Sequence, residues 1–382
     1  MKGRQDTQYD PFRKGNVRET LLPVAKRFEP RGKIVDIRPF GSGNVHDTYL
    51  VSLQDVEAPR FILQRVNTKV FHRPEMVMRN MRIATEHIRL RLLDVQPGTD
   101  RRWEVMRVLA AHDGRDHCID SDGSFWRAVS FIEGARTFDI VEDTDHAREV
   151  GYALGRFQRL VSDLPPELLA DTLEGFHILP LYLRHYDRVL TEISPGASAE
   201  VKHCLRFVNE RRSRVNVLED ARARGRLVHR TIHGDPKVNN VMLDAASRRA
   251  VSMVDLDTVK PGLVHYDIGD CLRSCCNPLG EETADWESVS FEPELCRAIL
   301  EGYLPQARVF LTQGDRDHIY DAVSLIAFEL GLRFFTDYLE GDVYFKVAHR
   351  EHNLARALVQ FRLTASIESQ GLTIRKIIED LT

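Results

Sequence analysis

At 382 residues, with 43% hydrophobic and 29% charged residues, the chain has the composition of a soluble globular protein large enough for two domains. A formal net charge of -4 gives no general attraction for nucleic acid or anionic membranes, and we expect neither as a partner. The N-terminal stretch is polar where a signal peptide is apolar, and no run reaches transmembrane length, so we expect a cytoplasmic protein.

The six cysteines form no repeated CxxC pair with partner histidines. The sequence therefore indicates neither a zinc site nor a disulfide framework. We expect reduced thiols that are packed in the interior. No feature of the sequence fixes the oligomeric state.

Between residues 33 and 131 the pattern is typical of short strands and one helix. Three strands are predicted at 33–40, 48–53 and 60–67, with a glycine-rich turn between the first two. Pro74 opens a helix whose apolar residues recur at helical spacing. Two further strands, near 103–111 and at 124–134, flank a short turn. This region is therefore predicted to be a mainly antiparallel sheet with one helix.

After Gly134 the pattern becomes mainly helical, beginning with a helix that Thr144 is predicted to cap. Residues 227–257 interrupt it with three short apolar runs separated by turn-forming residues, which predicts strands and loops. We place a nucleotide-loop domain at residues 1–133 and a helical domain with the catalytic loop and the acceptor site at residues 134–382. The predicted fold class is α+β.

Residues 233–240, with the sequence HGDPKVNN, contain the side chains that phosphoryl transfer requires. In kinase catalytic loops an Asp accepts the hydroxyl proton, a Lys two residues later reaches the phosphate, and an Asn five residues later binds magnesium. Asp235, Lys237 and Asn240 have this spacing. Taken alone, Asp235 is equally typical of a turn before proline. His233 is predicted to orient the loop rather than to take part in the chemistry.

Asp255 is the second expected magnesium ligand, because it follows an apolar run fifteen residues after Asn240. That spacing suits a hairpin that returns to the same cleft, and Mg²⁺ prefers carboxylate and amide oxygens. Asp257 is a further candidate, as a ligand or as a neighbour of the metal. Alone, Asp255 is typical of a strand-end cap. The two segments together predict an ATP-dependent kinase.

The glycine-rich turn near the N-terminus is formed by Gly41, Ser42, Gly43 and Asn44. Glycines allow backbone amides to approach phosphates closely, so this turn is a candidate for binding the nucleotide. A simple hairpin turn has the same composition.

The order of these segments resembles the aminoglycoside phosphotransferase and choline kinase superfamily, whose members have a protein-kinase-like fold. Within the superfamily, the sequence is similar to the N-acetylhexosamine 1-kinases. The resemblance extends over nearly all of residues 27–365. The segments that carry it are FILQRVNT (61–68), WRAVSFIEG (126–134), HGDPKVNN (233–240), MVDLDTVKPG (253–262), DIGD (267–270) and GLRFFTDYLEGDVYF (331–345).

For the C-terminal part, the resemblance implies a helical lobe with Asp235 as the general base. It also implies that Asn240 and Asp255 bind Mg²⁺ and that Asp267 is a buried residue that steadies the catalytic segment. The implied fold is bilobal, and the N-terminal lobe is the smaller of the two.

For ATP, the resemblance implies a hinge at residues 131–134, where adenine stacks near Phe131 and meets the backbone around Glu133. Gln64 lies where many relatives have a lysine that binds phosphate. Mg²⁺, Lys237 or an arginine must then supply the missing positive charge. The glycine-rich turn also departs from the usual pattern at its serine and asparagine.

Glu329, Arg333 and Asp337 recur every four residues and share one helix face. On spacing alone, this pattern is typical of an exposed salt-bridge ladder. The resemblance to sugar kinases instead nominates Arg333 and Tyr344 for binding the acceptor, with Asp337 in support. His46, which follows the glycine-rich turn, is a further candidate for the acceptor.

The residues therefore predict an ATP- and Mg²⁺-dependent kinase. The resemblance implies that it phosphorylates the anomeric 1-hydroxyl of a neutral amino sugar, N-acetylglucosamine or N-acetylgalactosamine. Positioning and a carboxylate base are sufficient for such a relatively acidic hydroxyl. One alternative is a different acceptor: another sugar, an amino alcohol such as choline, or an aminoglycoside. The absence of a lysine at residue 64 leaves a second alternative, a nucleotide-binding regulator without catalysis.

Overall fold

The computed structural model describes residues 17–28, 32–41, 45–54, 60–93, 101–193, 196 and 198–382. The chain divides into two compact units, residues 1–85 with 106–133 and residues 86–105 with 134–382. Residues 86–105, which the sequence predicts in the N-terminal domain, group with the second unit. There the His87 ring lies 3.0 Å from the Asp163 carboxylate.

Among its described residues, the first unit contains an antiparallel sheet, as the sequence predicted, and a short N-terminal helix that the sequence analysis did not predict. The strand order is β1-β2-β3-β6-β4, and β5 also pairs with β6. The longer helix α2 begins in this unit and ends in the second. The elements are α1 (Val17–Ala25), β1 (Lys33–Pro39), β2 (Asp47–Gln54), β3 (Arg60–Arg65), α2 (Pro74–Leu93), β4 (Val108–Leu109), β5 (Cys118–Ile119) and β6 (Phe125–Ser130).

The sheet buries one face, because apolar residues alternate along its central strands. Val51 pairs with Phe61, and Leu63 pairs with Ala128 on the next strand. All four belong to one core cluster with Trp126. The strand predicted near residues 103–111 is reduced to the two residues of β4.

The described residues of the second unit are mainly helical, with two small sheets of order β10-β9-β7 and β11-β8. Its elements are β7 (Ala135–Arg136), α3 (Thr144–Val161), α4 (Leu179–Glu192), α5 (Ala199–Arg211), α6 (Val217–Ala223), β8 (Arg230–Ile232), β9 (Val241–Asp244), β10 (Ala250–Met253), β11 (Lys260–Gly262), α7 (Val264–Cys275), α8 (Pro293–Ala307), α9 (Gln313–Asp317), α10 (Ile319–Glu340), α11 (His352–Ser369) and α12 (Gly371–Leu381).

Helix α10 is buried along most of its length and forms the centre of this unit. A helix that is apolar on nearly all sides must be covered by other elements. Phe328 and Phe335 of α10 lie beside Phe361 of α11, which stacks on Phe207 of α5 with ring centroids 4.7 Å apart. This aromatic core packs α10 against α11 and α5.

Helix α3 begins at Thr144, but its cap is Asp143, whose carboxylate accepts a hydrogen bond from the His146 amide at 2.7 Å. Helix α8 crosses it closely at Gly302. A Cβ atom there would lie 2.0 Å from the Arg148 carbonyl oxygen, so only glycine fits.

All six cysteines are buried and free, as expected for packed thiols. In the described part of the chain, no helix has both the length and the apolar character needed to span a membrane.

Candidate active site

The catalytic segment, residues 233–240, leaves β8 and enters β9 through a short 3₁₀ turn at Val238–Asn240. Gly234 has a φ of +88°, and a Cβ atom there would lie 2.6 Å from the Thr258 carbonyl oxygen. The backbone can therefore turn at this position only with glycine. This turn sets the direction of the next side chain, that of Asp235.

Asp267 of α7 holds the start of the catalytic segment, which confirms the expected buried supporting role. Its Oδ2 accepts the His233 amide at 2.9 Å, and its Oδ1 accepts the Gly234 amide at 2.8 Å. Gln158 donates a third hydrogen bond at 2.9 Å. Burial raises the pKa of Asp267, against the opposing effect of these donors. The carboxyl group thus links α7, α3 and the segment.

The His233 ring is fully buried and orients the segment, as predicted. Its Nε2 donates to the Val254 carbonyl at 3.0 Å, and its Nδ1 accepts the Asp235 amide at 3.3 Å. These two bonds require the tautomer with the proton on Nε2. His233 therefore connects the segment to the end of β10 and is not available as a base.

Asp235 remains partly exposed, with 27% of its side chain accessible, and pairs with Lys237. The Lys237 Nζ lies 2.8 Å from Asp235 Oδ2. Burial alone would raise the pKa of Asp235, but the ammonium group of Lys237 outweighs it and the pKa is lowered. Burial likewise opposes the charge on Lys237, yet Asp235 and Asp255 raise its pKa. Both groups are charged at neutral pH.

The amide of Asn240 is oriented by Asp235. Its Nδ2 donates to the Asp235 carbonyl at 2.8 Å and to Asp235 Oδ2 at 3.2 Å. Because both contacts use the nitrogen, the Asn240 oxygen is left on the opposite side of the amide. This is the atom that a hard cation prefers.

Asp255 lies next to Asn240 across the β9–β10 hairpin. Met253 pairs with Val241, and the Val254 amide donates to the Asn240 carbonyl at 2.9 Å. The next residue, Asp255, has a left-handed backbone with φ of +61°. One amide oxygen and one carboxylate at adjacent positions form a donor set that suits Mg²⁺. Asp257, two residues after Asp255, is buried.

In the first unit, Gln64 bridges two neighbouring strands. Its Nε2 donates to Thr48 Oγ1 at 3.0 Å, and its Oε1 accepts Arg127 Nε at 2.9 Å. Arg127 is buried. A guanidinium charge therefore lies directly beside Gln64.

The predicted adenine-binding residues Phe131 and Glu133 are both anchored by Arg60. Its guanidinium lies 4.7 Å from the Phe131 ring centroid, and its Nε donates to Glu133 at 2.9 Å. Phe40 also contacts the Phe131 ring edge-on at 5.7 Å. The side chains of this segment are thus fixed within the first unit.

The glycine-rich turn is described only at its first residue, Gly41, whose φ is +78°. Ser42, Gly43 and Asn44 lie outside the described residues. His46 accepts the Asn67 amide at 3.1 Å through Nδ1 and lies 5.5 Å from the Phe71 ring centroid.

Glu329, Arg333 and Asp337 do not form an exposed ladder, so that alternative is wrong. Glu329 is 1% exposed and Asp337 is 4% exposed. His177 and the loop that follows α10 cover this face. Arg333 is surrounded by the rings of Phe176, Tyr182, Tyr344 and Phe345, at 5.1, 5.1, 5.9 and 5.4 Å.

Asp337 holds the loop that follows α10. Its Oδ1 accepts the amides of Val343 and Tyr344 at 2.9 and 2.7 Å, and its Oδ2 accepts the Phe345 amide at 3.0 Å. Asn353 adds a hydrogen bond at 2.9 Å. Both oxygens are thus engaged in placing Tyr344 and Phe345 beside Arg333.

Sequence reasoning missed Gln158, His177 and Arg127, which contact the predicted residues. The partners of His177 lie 57 and 152 residues away, and Gln158 is 109 residues from Asp267. No local pattern marks such contacts, because they exist only after the helices pack.

The APH model, described as a phosphotransferase enzyme family, matches residues 36–312. Several solved structures share the fold at low identity. An aminoglycoside phosphotransferase from Alicyclobacillus acidocaldarius is 12% identical, with a TM-score of 0.62 and coverage of 94% of this chain and 96% of that chain. A microcompartment-associated aminopropanol kinase is 15% identical, with a TM-score of 0.58 and coverage of 93% and 98%.

A choline kinase from Cryptosporidium parvum is 13% identical, with a TM-score of 0.58 and coverage of 93% of this chain and 96% of that chain. These likenesses establish the kinase-like fold. The family match spans well over half of the sequence and includes the catalytic segment and Asp255. The chain therefore belongs to the phosphotransferase enzyme family.

Proposed function

We propose that the protein transfers the γ-phosphate of ATP to a hydroxyl of a neutral small molecule, with the anomeric 1-hydroxyl of an N-acetylhexosamine as the favoured acceptor. One observation carries the reaction type: an ionised Asp235 pairs with Lys237 and orients the Asn240 amide, beside Asp255. This is the set of groups that phosphoryl transfer uses.

Asp235 accepts a hydrogen bond from the acceptor hydroxyl and orients its oxygen toward the γ-phosphorus. The new oxygen–phosphorus bond forms as the bond to the β,γ-bridging oxygen breaks, and the hydroxyl proton passes to Asp235. ADP and the phosphorylated acceptor leave. Lys237 holds Asp235 in place and supplies positive charge. Mg²⁺, held by Asn240 and Asp255, would offset the negative charge of the phosphates.

For the nucleotide, we propose contacts from Gln64, Phe131 and Glu133, with backbone amides of residues 41–44. The Arg127 guanidinium beside Gln64 supplies the charge that a lysine supplies in many relatives. A regulator that binds nucleotide without catalysis would not require the Asp235, Asn240 and Asp255 arrangement. Catalysis is therefore favoured over that alternative.

Arg333 supports a neutral acceptor. A cluster of four aromatic rings would be suited to a substrate cation, but here the guanidinium of Arg333 already lies among them. A second cation would be repelled by Arg333. Sugar hydroxyls and an acetamido carbonyl would instead find a donor in the guanidinium and a flat surface in Tyr344. This disfavours choline, aminopropanol and aminoglycosides, although related folds include kinases named for them.

An acceptor panel with ADP production as readout tests the proposal. We expect turnover with N-acetylglucosamine or N-acetylgalactosamine and none with choline, aminopropanol or kanamycin. Turnover with a cationic acceptor alone would refute the neutral acceptor, and absence of turnover with every hydroxyl compound would refute catalysis. The position of the new phosphate on the sugar separates the anomeric hydroxyl from the others.

Asp255→Asn should weaken binding of MgATP by more than about 100-fold, because a metal-binding carboxylate loses its charge. Asparagine tolerates the left-handed backbone at this position, so the fold is retained. Isothermal calorimetry measures the affinity. Binding of ATP in excess EDTA is the control and should change little. Equal MgATP affinity in the variant and the wild type would remove Asp255 from the metal site.

Arg333→Met should raise the acceptor KM by roughly 10- to 100-fold, as expected for a lost charge-assisted hydrogen bond. The KM for ATP should stay unchanged. Arg224→Met is the matched control, because that arginine is 69% exposed directly after α6. An unchanged acceptor KM in Arg333→Met, with normal thermal unfolding, would rule out this acceptor contact.

A further inference from the structure

His177 lies buried just before α4, with 5% of its side chain exposed and a left-handed backbone of φ +65°. A non-glycine residue with positive φ is uncommon and marks a position that surrounding contacts determine. The contacts here are two ring hydrogen bonds. They connect α10 to the catalytic segment.

The His177 Nδ1 lies 3.0 Å from Glu329 Oε1, and the Nε2 lies 3.0 Å from the Gly234 carbonyl oxygen. A carbonyl oxygen only accepts hydrogen bonds, as does an ionised carboxylate. A neutral imidazole has one N–H and can satisfy only one of these partners. The pair must therefore hold one proton more than a neutral histidine beside an ionised glutamate.

The groups that face the ring favour this extra proton. Burial alone would lower the pKa of His177, but Glu329, with Asp270 in support, raises it. Asp270 is on α7, as is Tyr266, whose ring centroid is 5.6 Å from that of His177. Tyr182 of α4 and the Gly234 carbonyl also interact with His177, and Arg333 lies one helical turn from Glu329 on α10 and interacts with it.

We propose that His177 is a positioning residue whose proton, shared with Glu329, connects the acceptor-binding helix α10 to Gly234 and so aligns the acceptor with Asp235. Glu329 lies one helical turn before Arg333, and Gly234 directly precedes Asp235. A single ring thus joins the element proposed to bind the acceptor to the residue that activates it. This inference rests on the proposed function.

The proton sets the direction of the pH dependence. Both hydrogen bonds are present below the raised pKa of His177, and one is lost as the pH rises through it. The pKa of Asp235 is lowered and that of Lys237 is raised, so neither titrates in this window. We therefore expect turnover to fall on the alkaline side with the titration of His177.

Glu329→Gln removes the shared proton but keeps both hydrogen bonds of the His177 ring. The Glu329 Oε2 is buried, with no hydrogen-bond partner among the described residues. The amide oxygen of glutamine fits at that position, and its NH₂ group can donate to His177 Nδ1. A neutral ring then still donates to Gly234. The alkaline limb of the kcat profile should therefore disappear in Glu329→Gln, whatever the level of the plateau.

His177→Asn keeps a residue that tolerates positive φ but cannot reach both partners. We expect kcat to fall by roughly 10- to 100-fold through misalignment, with ATP affinity retained. Thermal unfolding identifies a variant that fails to fold. If His177→Asn folds normally and keeps wild-type kcat at all pH values, the positioning role is refuted.

Imidazole ¹⁵N spectra of the full-length protein test the pair without any turnover. We expect both His177 nitrogens to carry protons at neutral pH, and only one in Glu329→Gln. A His177 pKa at or below the ordinary value of about 6.5 would overturn the proposal. So would a kcat profile that does not follow the His177 titration. Absence of turnover with every acceptor would instead refute the proposed function, while the spectra still decide the state of the pair.

Discussion

Asp235→Asn should lower kcat by about 10²- to 10⁴-fold, the usual contribution of a general base. Asparagine cannot take the hydroxyl proton, yet its oxygen can still accept the hydrogen bonds from Asn240 and Lys237 that Asp235 accepts in the wild type. The geometry of the segment is therefore retained while the base is removed. Steady-state turnover and calorimetric MgATP affinity measure the two effects separately, and affinity should change little.

Asp220→Asn is the matched control, because it removes a carboxylate that is 55% exposed on α6 of the same unit. Its kcat should equal that of the wild type. In the wild type, turnover should persist at mildly acidic pH, because the lowered pKa of Asp235 keeps the base ionised there. It should fall only as the pH drops through that lowered value. Asp235→Asn turnover within tenfold of the wild type would contradict the role of general base.

The reaction type was predictable from the sequence because its residues are close along the chain. The spacing of Asp235, Lys237 and Asn240 is set by one loop, and Asp255 follows one hairpin later. Contacts within such a segment depend on local backbone conformation. The sheet of the first unit was equally predictable, because the alternation of buried and exposed residues follows from the residue pattern alone.

The environment of α10 was not predictable in the same way. Helical spacing places Glu329 and Asp337 on one face whether that face is exposed or buried. The outcome depends on which distant segment covers the face, here the loop of Tyr344 and the residue His177. Helical spacing contains no information on such contacts. The prediction of an exposed salt-bridge ladder on this face was wrong for that reason.

The acceptor that we propose rests on the same non-local contacts. Family membership fixes the phosphotransferase fold, but folds of this kind serve many acceptors. The discriminating observation is local charge: Arg333 lies among aromatic rings that a substrate cation would otherwise contact. Only the packing of α10 against residues 176–182 and 344–345 reveals this arrangement.

Asp267→Asn should both destabilise the protein and lower kcat. In the wild type, three donors converge on the two carboxylate oxygens. An asparagine has a single oxygen, so its NH₂ group must face the His233 or Gly234 amide. Leaving one buried amide unpaired costs about 1–3 kcal/mol of the free energy of unfolding. Displacement of the adjoining Asp235 should lower kcat by roughly 10²-fold.

Gln158→Met is the control for Asp267→Asn, because it removes only one of the three hydrogen bonds to Asp267. It removes the third donor but leaves both backbone hydrogen bonds from the segment to Asp267. It also leaves the Tyr303 hydroxyl without its 2.7 Å partner, so some stability is lost. Its kcat should nevertheless stay much closer to that of the wild type, because residues 233 and 234 remain attached to α7. Denaturant unfolding and steady-state kinetics compare the two variants. If Gln158→Met lowers kcat as much as Asp267→Asn at equal loss of stability, general destabilisation would explain both effects, and Asp267 would have no separate role in placing the base.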